Sequence, residues 1–182
     1  MTEDAFPCEI HSESVVLRRW RADDFDFYSR YLGDETTARF HGGVLTTQQA
    51  WRHLASVIGH WTLRGFGVYV GETCASAAPL GCVGLWEPHG WPCREFVYWF
   101  TPEAYSSGDA LSAVILALRQ VEATFPGQAL TGFIHPANER ALSLARSVGA
   151  TLGGEAPLCE FGPHVKVVFF EGKDAVAIGS ND

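Results

Sequence analysis

The segment that most restricts the possible folds runs from residue 95 to residue 134. Glu95 to Phe100 is a β-rich run, Pro102 follows, and Leu111, Val114, Ile115, Leu118, Val121 and Phe125 then recur at helical spacing until Pro126-Gly127. Ala129 to Ile134 is β-rich again. Strand, helix and strand in this order make a βαβ-type crossover. The runs before it, Phe66 to Gly71, Leu80 to Trp86 and Glu95 to Phe100, are separated by breaks at Ala75 to Pro79 and Pro88 to Pro92 and read as an antiparallel meander. A meander joined to one crossover requires a mixed sheet with helices on its faces.

The remaining elements fit around that sheet. Val15-Val16-Leu17 reads as a short first strand. Ala22-Asp23-Asp24 offers capping side chains for a helix that carries Phe25, Tyr28, Tyr31 and Leu32 at spacings of three and four. Gly33 to Thr46 is a polar loop. A long amphipathic helix begins at Thr46-Thr47-Gln48-Gln49, presents Trp51, Leu54, Ala55, Ile58 and Trp61 on one face, and stops at Arg64-Gly65. On the same helix His53 and His60, seven apart with Val57 between them, read as a polar flank rather than a metal pair. A second short helix covers Asn138 to Val148, with Ala141, Leu144, Ala145 and Val148 inward, and Val165 to Phe170 is the last strand. Residues 1–13 and 172–182 are expected to be flexible, leaving one domain over 14–171.

Length and charge narrow the partners. A chain of 182 residues is one domain, large enough to bury about 70 % of its unfolded surface. Thirteen basic against 21 acidic residues give a net charge of −8, a poor basis for binding nucleic acid or anionic lipid. The Leu17-Arg18-Arg19-Trp20-Arg21 strip lies beside Asp23 and Asp24 and reads as a solvated strand end. Five widely spaced cysteines, with no Cys-x-x-Cys pair and no Cys/His cluster at zinc spacing, favour free thiols over a disulfide framework or a metal site. The acidic N-terminus and short apolar runs argue against a signal peptide or a bilayer span, so a cytoplasmic location is expected.

The chemistry-bearing segment is Tyr98 to Ala110, which joins a strand to a helix N-terminus. First-turn N–H groups without intrahelical partners, together with the helix dipole, form an anion site, and Gly108 and Ala110 are small enough for phosphate oxygens to approach. The alternative is ordinary capping by Ser106, Ser107 and Asp109 around a turn glycine. Asp109 favours the alternative, because its charge repels phosphate. No Gly-x-Gly-x-x-Gly or Gly-x-x-x-x-Gly-Lys-Ser/Thr opens a helix, so a dinucleotide or P-loop domain ranks last.

Several phrases in their order resemble the GNAT acyltransferase superfamily, in particular its ribosomal-protein N-terminal and small-amine acetyltransferases. They are Val16-Leu17-Arg18-Arg19-Trp20-Arg21-Ala22-Asp23-Asp24, Leu80-Gly81-Cys82-Val83-Gly84-Leu85, Glu95 to Phe100 with its following turn, and Asn138-Glu139-Arg140-Ala141 through Val148-Gly149-Ala150. The resemblance implies a mostly antiparallel mixed sheet of α/β (α+β) class with helices on both faces, acetyl-CoA as co-substrate and no metal. It implies that the two strands flanking the crossover helix splay apart to admit the cofactor arm. The acetyl carbonyl would then lie against N–H groups near Trp99 and Phe100, the pyrophosphate over Tyr105, Ser106, Ser107, Gly108, Asp109 and Ala110, and Asn138 against the arm.

Amine attack needs a base, and Glu95 is the candidate, sharing a strand face with Val97 and Trp99. The competing role for Glu95 is an exposed ion pair with Arg94. His135 is the one histidine expected near the cleft, as a strand-end residue or a catalytic group. Ser143 and Ser147 are available as proton donors, but no pattern marks them. His41-Gly42-Gly43 and the Trp86 to Trp91 loop are expected on the acceptor side, with specificity arising from loops 33–46, 86–94 and 153–164. The expected reaction is transfer of acetyl to a primary amine, either a protein N-terminus or a small cationic amine such as a polyamine or aminoglycoside, by a monomer or homodimer. The second reading is an acyl-CoA or protein binding module without turnover, favoured by Asp109 and by Ser106 standing where the family usually has Gly.

Overall fold

A computed structural model describes residues 6–156 and 164–170. Eight strands form one sheet in the order β1-β2-β3-β4-β5-β6-β8-β7. These are β1 (Glu9–His11), β2 (Val15–Arg18), β3 (Val68–Thr73), β4 (Pro79–Trp86), β5 (Glu95–Phe100), β6 (Leu130–Ile134), β7 (Thr151–Ala156) and β8 (His164–Phe170). Every pairing is antiparallel except β5 with β6, so the meander and the single crossover are both present. The crossover passes through α4 (Pro102–Ser107) and α5 (Asp109–Thr124). The other helices are α1 (Phe25–Gly33), α2 (Glu35–Ala38), α3 (Thr47–Arg64) and α6 (Glu139–Ser147).

Side-chain alternation divides the core between the two faces. Tyr69, Val83, Phe96, Tyr98 and Phe100 pack with Val114, Ala117 and Leu118 of α5 and Ala141 and Leu144 of α6. Val68, Val70, Cys82 and Trp99 face Tyr28, Tyr31 and Leu32 of α1 and Leu54 and Val57 of α3. Glu95, Val97 and Trp99 therefore point towards α1 and α3, while Phe96, Tyr98 and Phe100 point towards α5 and α6.

Several expectations are corrected. The N-terminal segment is not loose throughout: Glu9–His11 pairs with β2, and Phe6 is buried against Trp61, Phe66, Tyr69 and Phe125. Its lone Phe, between Ala5 and Pro7, carries no periodicity to read. Loop 33–46 contains α2, capped by the Asp34 carboxylate on the Thr36 and Thr37 N–H groups. Residues 151–156, part of them expected as a loop, form β7 as the sheet's outer strand. The expected tail, 172–182, lies outside the described residues.

The apolar stripe of α3 is rotated from the expected one. Ala50, Leu54, Val57, His60 and Trp61 are buried, while Trp51 and Ile58 are exposed. His60 is thus no polar flank. Its Nδ1 lies 2.9 Å from the Phe66 carbonyl, its Nε2 accepts the Glu87 N–H at 3.0 Å, and its ring stacks on Trp86. Those two bonds require the neutral ring with its proton on Nδ1, in keeping with burial lowering its pKa.

Arg18 is not part of a solvated strand end either. It is 6 % exposed and donates to both carboxylate oxygens of Asp24 at 2.8 and 2.7 Å, and to Glu72. Burial alone would raise the Asp24 pKa, but the Arg18 guanidinium and the Arg21 N–H outweigh it and hold the carboxyl below its usual range. The network ties β2 and β3 to the turn that starts α1. Because removing one partner of a buried pair costs about 3–5 kcal/mol, Arg18→Ala is expected to lower the melting temperature by roughly 10 °C, whereas Arg21→Ala shifts it by only a degree or two. Paired thermal melts measure the difference.

Candidate active site

The crossover strands part almost as soon as they meet. Their parallel register consists of Glu95 opposite Thr131. A Cβ placed on Gly132 would come within 2.6 Å of the Phe96 carbonyl, so glycine is what lets β6 approach β5 here. Two residues further on, the same edge of β5 presents the backbone of Tyr98 and then Phe100. Trp99 is different: a Cβ on Gly81 of β4 would meet its carbonyl at 2.2 Å, so its backbone faces β4, since a strand residue's N–H and C=O share one side. The N–H groups on the splay side are therefore those of Tyr98 and Phe100, while that of Trp99, expected on this side, faces β4. The Trp99 indole stacks on Tyr31 at 3.8 Å and 22°.

Two cavities meet at this opening. One of about 220 Å³ lies on the α1/α3 face and includes Glu95, Trp86, Trp91, Trp99, His41, His53, His135 and His164 in its lining. The other, of about 310 Å³, follows the β5 edge along Tyr98, Phe100, Pro102 and Tyr105 towards Arg39 and Arg140. Phe40, His41, Tyr98 and Asn138 line both. The structure thus brings Glu95, Trp99, Phe100, Tyr105 and Asn138 around two adjoining cavities that share a wall.

Glu95 is 6 % exposed. It does not pair with Arg94, which binds Glu87 at 3.1 Å and lies over Phe125. The Glu95 carboxylate instead accepts the Trp91 indole N–H at 2.8 Å and the backbone N–H of Phe133, just beyond the point where the strands separate. Burial raises its pKa to about 7, the two N–H donors only partly opposing the shift. A carboxyl with that midpoint exchanges protons near neutral pH, as a general base requires.

The histidines are more numerous here than expected. His135 is a strand-end residue whose Nδ1 accepts the Ala137 N–H at 3.1 Å, and it also lines the cavity with its ring 6.2 Å from His164. His41 is pushed to about 4 by burial and by neighbouring His53, so it is neutral at pH 7. His53 is likewise lowered by burial, and its Nδ1 lies 2.7 Å from the Tyr28 hydroxyl. Among the described residues no cluster of three or more His, Cys, Asp or Glu is placed to hold a metal.

The expected phosphate loop is built differently from a simple turn. α4 intervenes, and Gly108 in the left-handed conformation (φ 88°) ends it and serves as the N-cap of α5. Gly108 itself offers no side-chain cap, but the Ser107 Oγ accepts the Asp109 N–H at 3.3 Å. Ser106 Oγ donates to the Pro102 carbonyl at 2.9 Å, and Ser107 Oγ donates to the Asp109 carboxylate at 2.7 Å. Ala110 is buried, and none of residues 106–110 lines either cavity. Asn138 caps α6, its Oδ1 accepting the Ala141 N–H at 3.3 Å. Ser143 and Ser147 line neither cavity. Sequence reading missed Tyr31, Arg39, Arg140 and His164, whose approach to the site depends on how distant segments pack.

Known proteins share this architecture. An acetyltransferase from Agrobacterium tumefaciens superposes with a TM-score of 0.73 at 18 % identity, over 87 % of this chain and 92 % of its own. A putative ribosomal-protein-serine acetyltransferase from Vibrio cholerae gives 0.69 at 19 % identity, over 88 % and 94 %. Spermidine N-acetyltransferase from Vibrio cholerae, in complex with CoA and spermine, gives 0.65 at 17 % identity, over 86 % and 95 %. At these identities the likeness is one of fold. Residues 14–151 match the acetyltransferase (GNAT) domain, and the chain accordingly belongs to the GNAT acetyltransferase family.

Proposed function

We propose that the protein transfers an acetyl group from acetyl-CoA to a primary amine by direct attack, with Glu95 as the base. The carrying observation is a single buried carboxylate, with a midpoint near neutrality, at the point where β5 and β6 part. Acetyl-CoA supplies the activated acyl group.

The unpaired edge of β5 fits its arm, and the N–H groups of Tyr98 and Phe100 are suited to polarise the acyl carbonyl and to stabilise negative charge on its oxygen. Asn138 and Tyr105 border the same channel. Phosphate oxygens suit the start of α5, where Gly108 brings no side chain and the helix dipole is positive, with the Asp109 N–H already held by Ser107 Oγ. Arg39 and Arg140 supply the cationic side chains that the 106–110 loop lacks. On the other side of the opening, Glu95 accepts a proton from the ammonium, freeing the nitrogen lone pair for attack, while Trp91 holds the carboxylate in place. A cytoplasmic setting fits Cys8, Cys74, Cys82 and Cys93, which are free thiols; Cys159 lies outside the described residues. No helix among those residues is long and apolar enough to cross a membrane.

The second reading, a binding module without turnover, is favoured by Asp109, whose carboxylate stands at the start of α5. One assay divides the two. Acetyl-CoA at a hundredfold excess over Kd is expected to stabilise the protein by about 2.7 kcal/mol, with thiol release when an amine is added. Stabilisation without thiol release from any amine supports the module, and no shift at millimolar acetyl-CoA contradicts both.

The pH dependence tests Glu95 itself. A base must be deprotonated, so kcat/KM is expected to rise with pH through about 7 and then level. Glu95→Gln should lower the rate by roughly 10²–10⁴-fold and remove that inflection. A variant profile identical to the wild type would exclude Glu95 from the role.

A further inference from the structure

We infer that the acceptor is a monoamine carried on an apolar, ring-sized body, rather than a polyamine or an aminosugar. The inference rests on the acetyltransferase reading and concerns the α1/α3-side cavity alone.

Its charge inventory is the first ground. Among the described residues lining that cavity, Glu95 is the only acid, and there is no Lys or Arg. His41 and His53 are kept neutral by burial. One carboxylate matches one ammonium. Each further ammonium of a polyamine would leave water without a counter-charge, which buried cations do not tolerate.

The wall chemistry is the second ground. Trp86, Trp91 and Trp99 line the space with Tyr28, and Trp91 contacts Glu95 directly. Indole faces favour a cation beside them and an apolar body against them. The hydroxyls of an aminosugar would have to share Glu95, Asn138 and the histidine rings as partners, and each one left over would lose its water.

Size agrees. The cavity is about 220 Å³, and one of about 150 Å³ accommodates a single benzene ring. A ring on a short amine-bearing chain fits within it, whereas a several-ring aminoglycoside would have to extend out of it. The same chemistry has two sources, a free arylalkylamine or the aromatic first residue of a peptide, and either satisfies the inference.

The test compares rates of thiol release from acetyl-CoA with 2-phenylethylamine, a tripeptide amide beginning with Phe, spermidine and kanamycin. One of the first two is expected to exceed both of the others at least tenfold in kcat/KM, and which one it is assigns the source. Faster turnover of spermidine or kanamycin overturns the inference while leaving the acetyltransferase reading intact.

Calorimetric titration in the presence of CoA reads acceptor binding without turnover. The preferred aromatic amine should bind saturably and lose at least tenfold in affinity in Glu95→Gln, while spermidine should bind no more tightly than it does to that variant. Absence of saturable binding by both aromatic amines, or binding unaffected by Glu95→Gln, overturns the inference. Thermal stabilisation by acetyl-CoA reports the cofactor reading independently.

Discussion

The parting of β5 from β6 is the constraint on which the rest of the site depends. Backbone N–H and C=O groups of a buried strand demand partners, yet β5 leaves its neighbour after one registered pair. Side chains take over part of the role. Tyr31 donates its hydroxyl to the Phe100 carbonyl of β5 at 3.3 Å, while the Tyr98 hydroxyl ties the strand to α6 by donating to the Ala141 carbonyl at 2.6 Å. Beneath the opening, the rings of Phe96 and Tyr98 pack with Phe169 of β8, so the α5/α6 face stays closed while the edge itself is accessible. Gly132 permits the close approach before the separation, and α4, through Pro102 and Tyr105, sets the far wall of the channel. The two cavities are consequences of a sheet that holds together on one side of β5 and opens on the other.

Two carboxylates show how the same burial produces opposite chemistry. Asp24 is paired with a guanidinium and is held below its usual range. Glu95 has only neutral N–H donors, and desolvation prevails, raising it to about 7. A charge partner makes Asp24 structural, and the lack of one makes Glu95 suitable for taking up and releasing a proton. The net charge of −8 repels an anionic co-substrate over the surface as a whole. Arg39 and Arg140 beside the second cavity are a local exception to that field.

Much of this was legible along the chain, for a physical reason. Period-2 and period-3.6 patterns report burial of a local face, so the meander, the crossover and the side of β5 that carries Glu95, Val97 and Trp99 were all readable. The family phrases supplied the splay and the role of the strand edge. What local pattern cannot carry is the partner across space. Arg18 read as solvated because Glu72, more than fifty residues away, gives no local signal. His60 read as a polar flank because its two backbone partners lie in later segments. The resemblance pointed to Trp99 and Phe100 together, and which of the neighbouring N–H groups faces β4 is definite only with the Gly81 contact. The His41, His53, His135 and His164 grouping depends on four separate segments converging.

The central claim is that Glu95 is a buried, uncompensated carboxyl poised near neutrality. It is tested most directly by following the carbon-13 carboxyl resonance of Glu95, assigned through its loss in Glu95→Gln, across a pH titration of the folded protein. A midpoint near 7 is expected, and a midpoint at the ordinary value of 4.5 would contradict the claim.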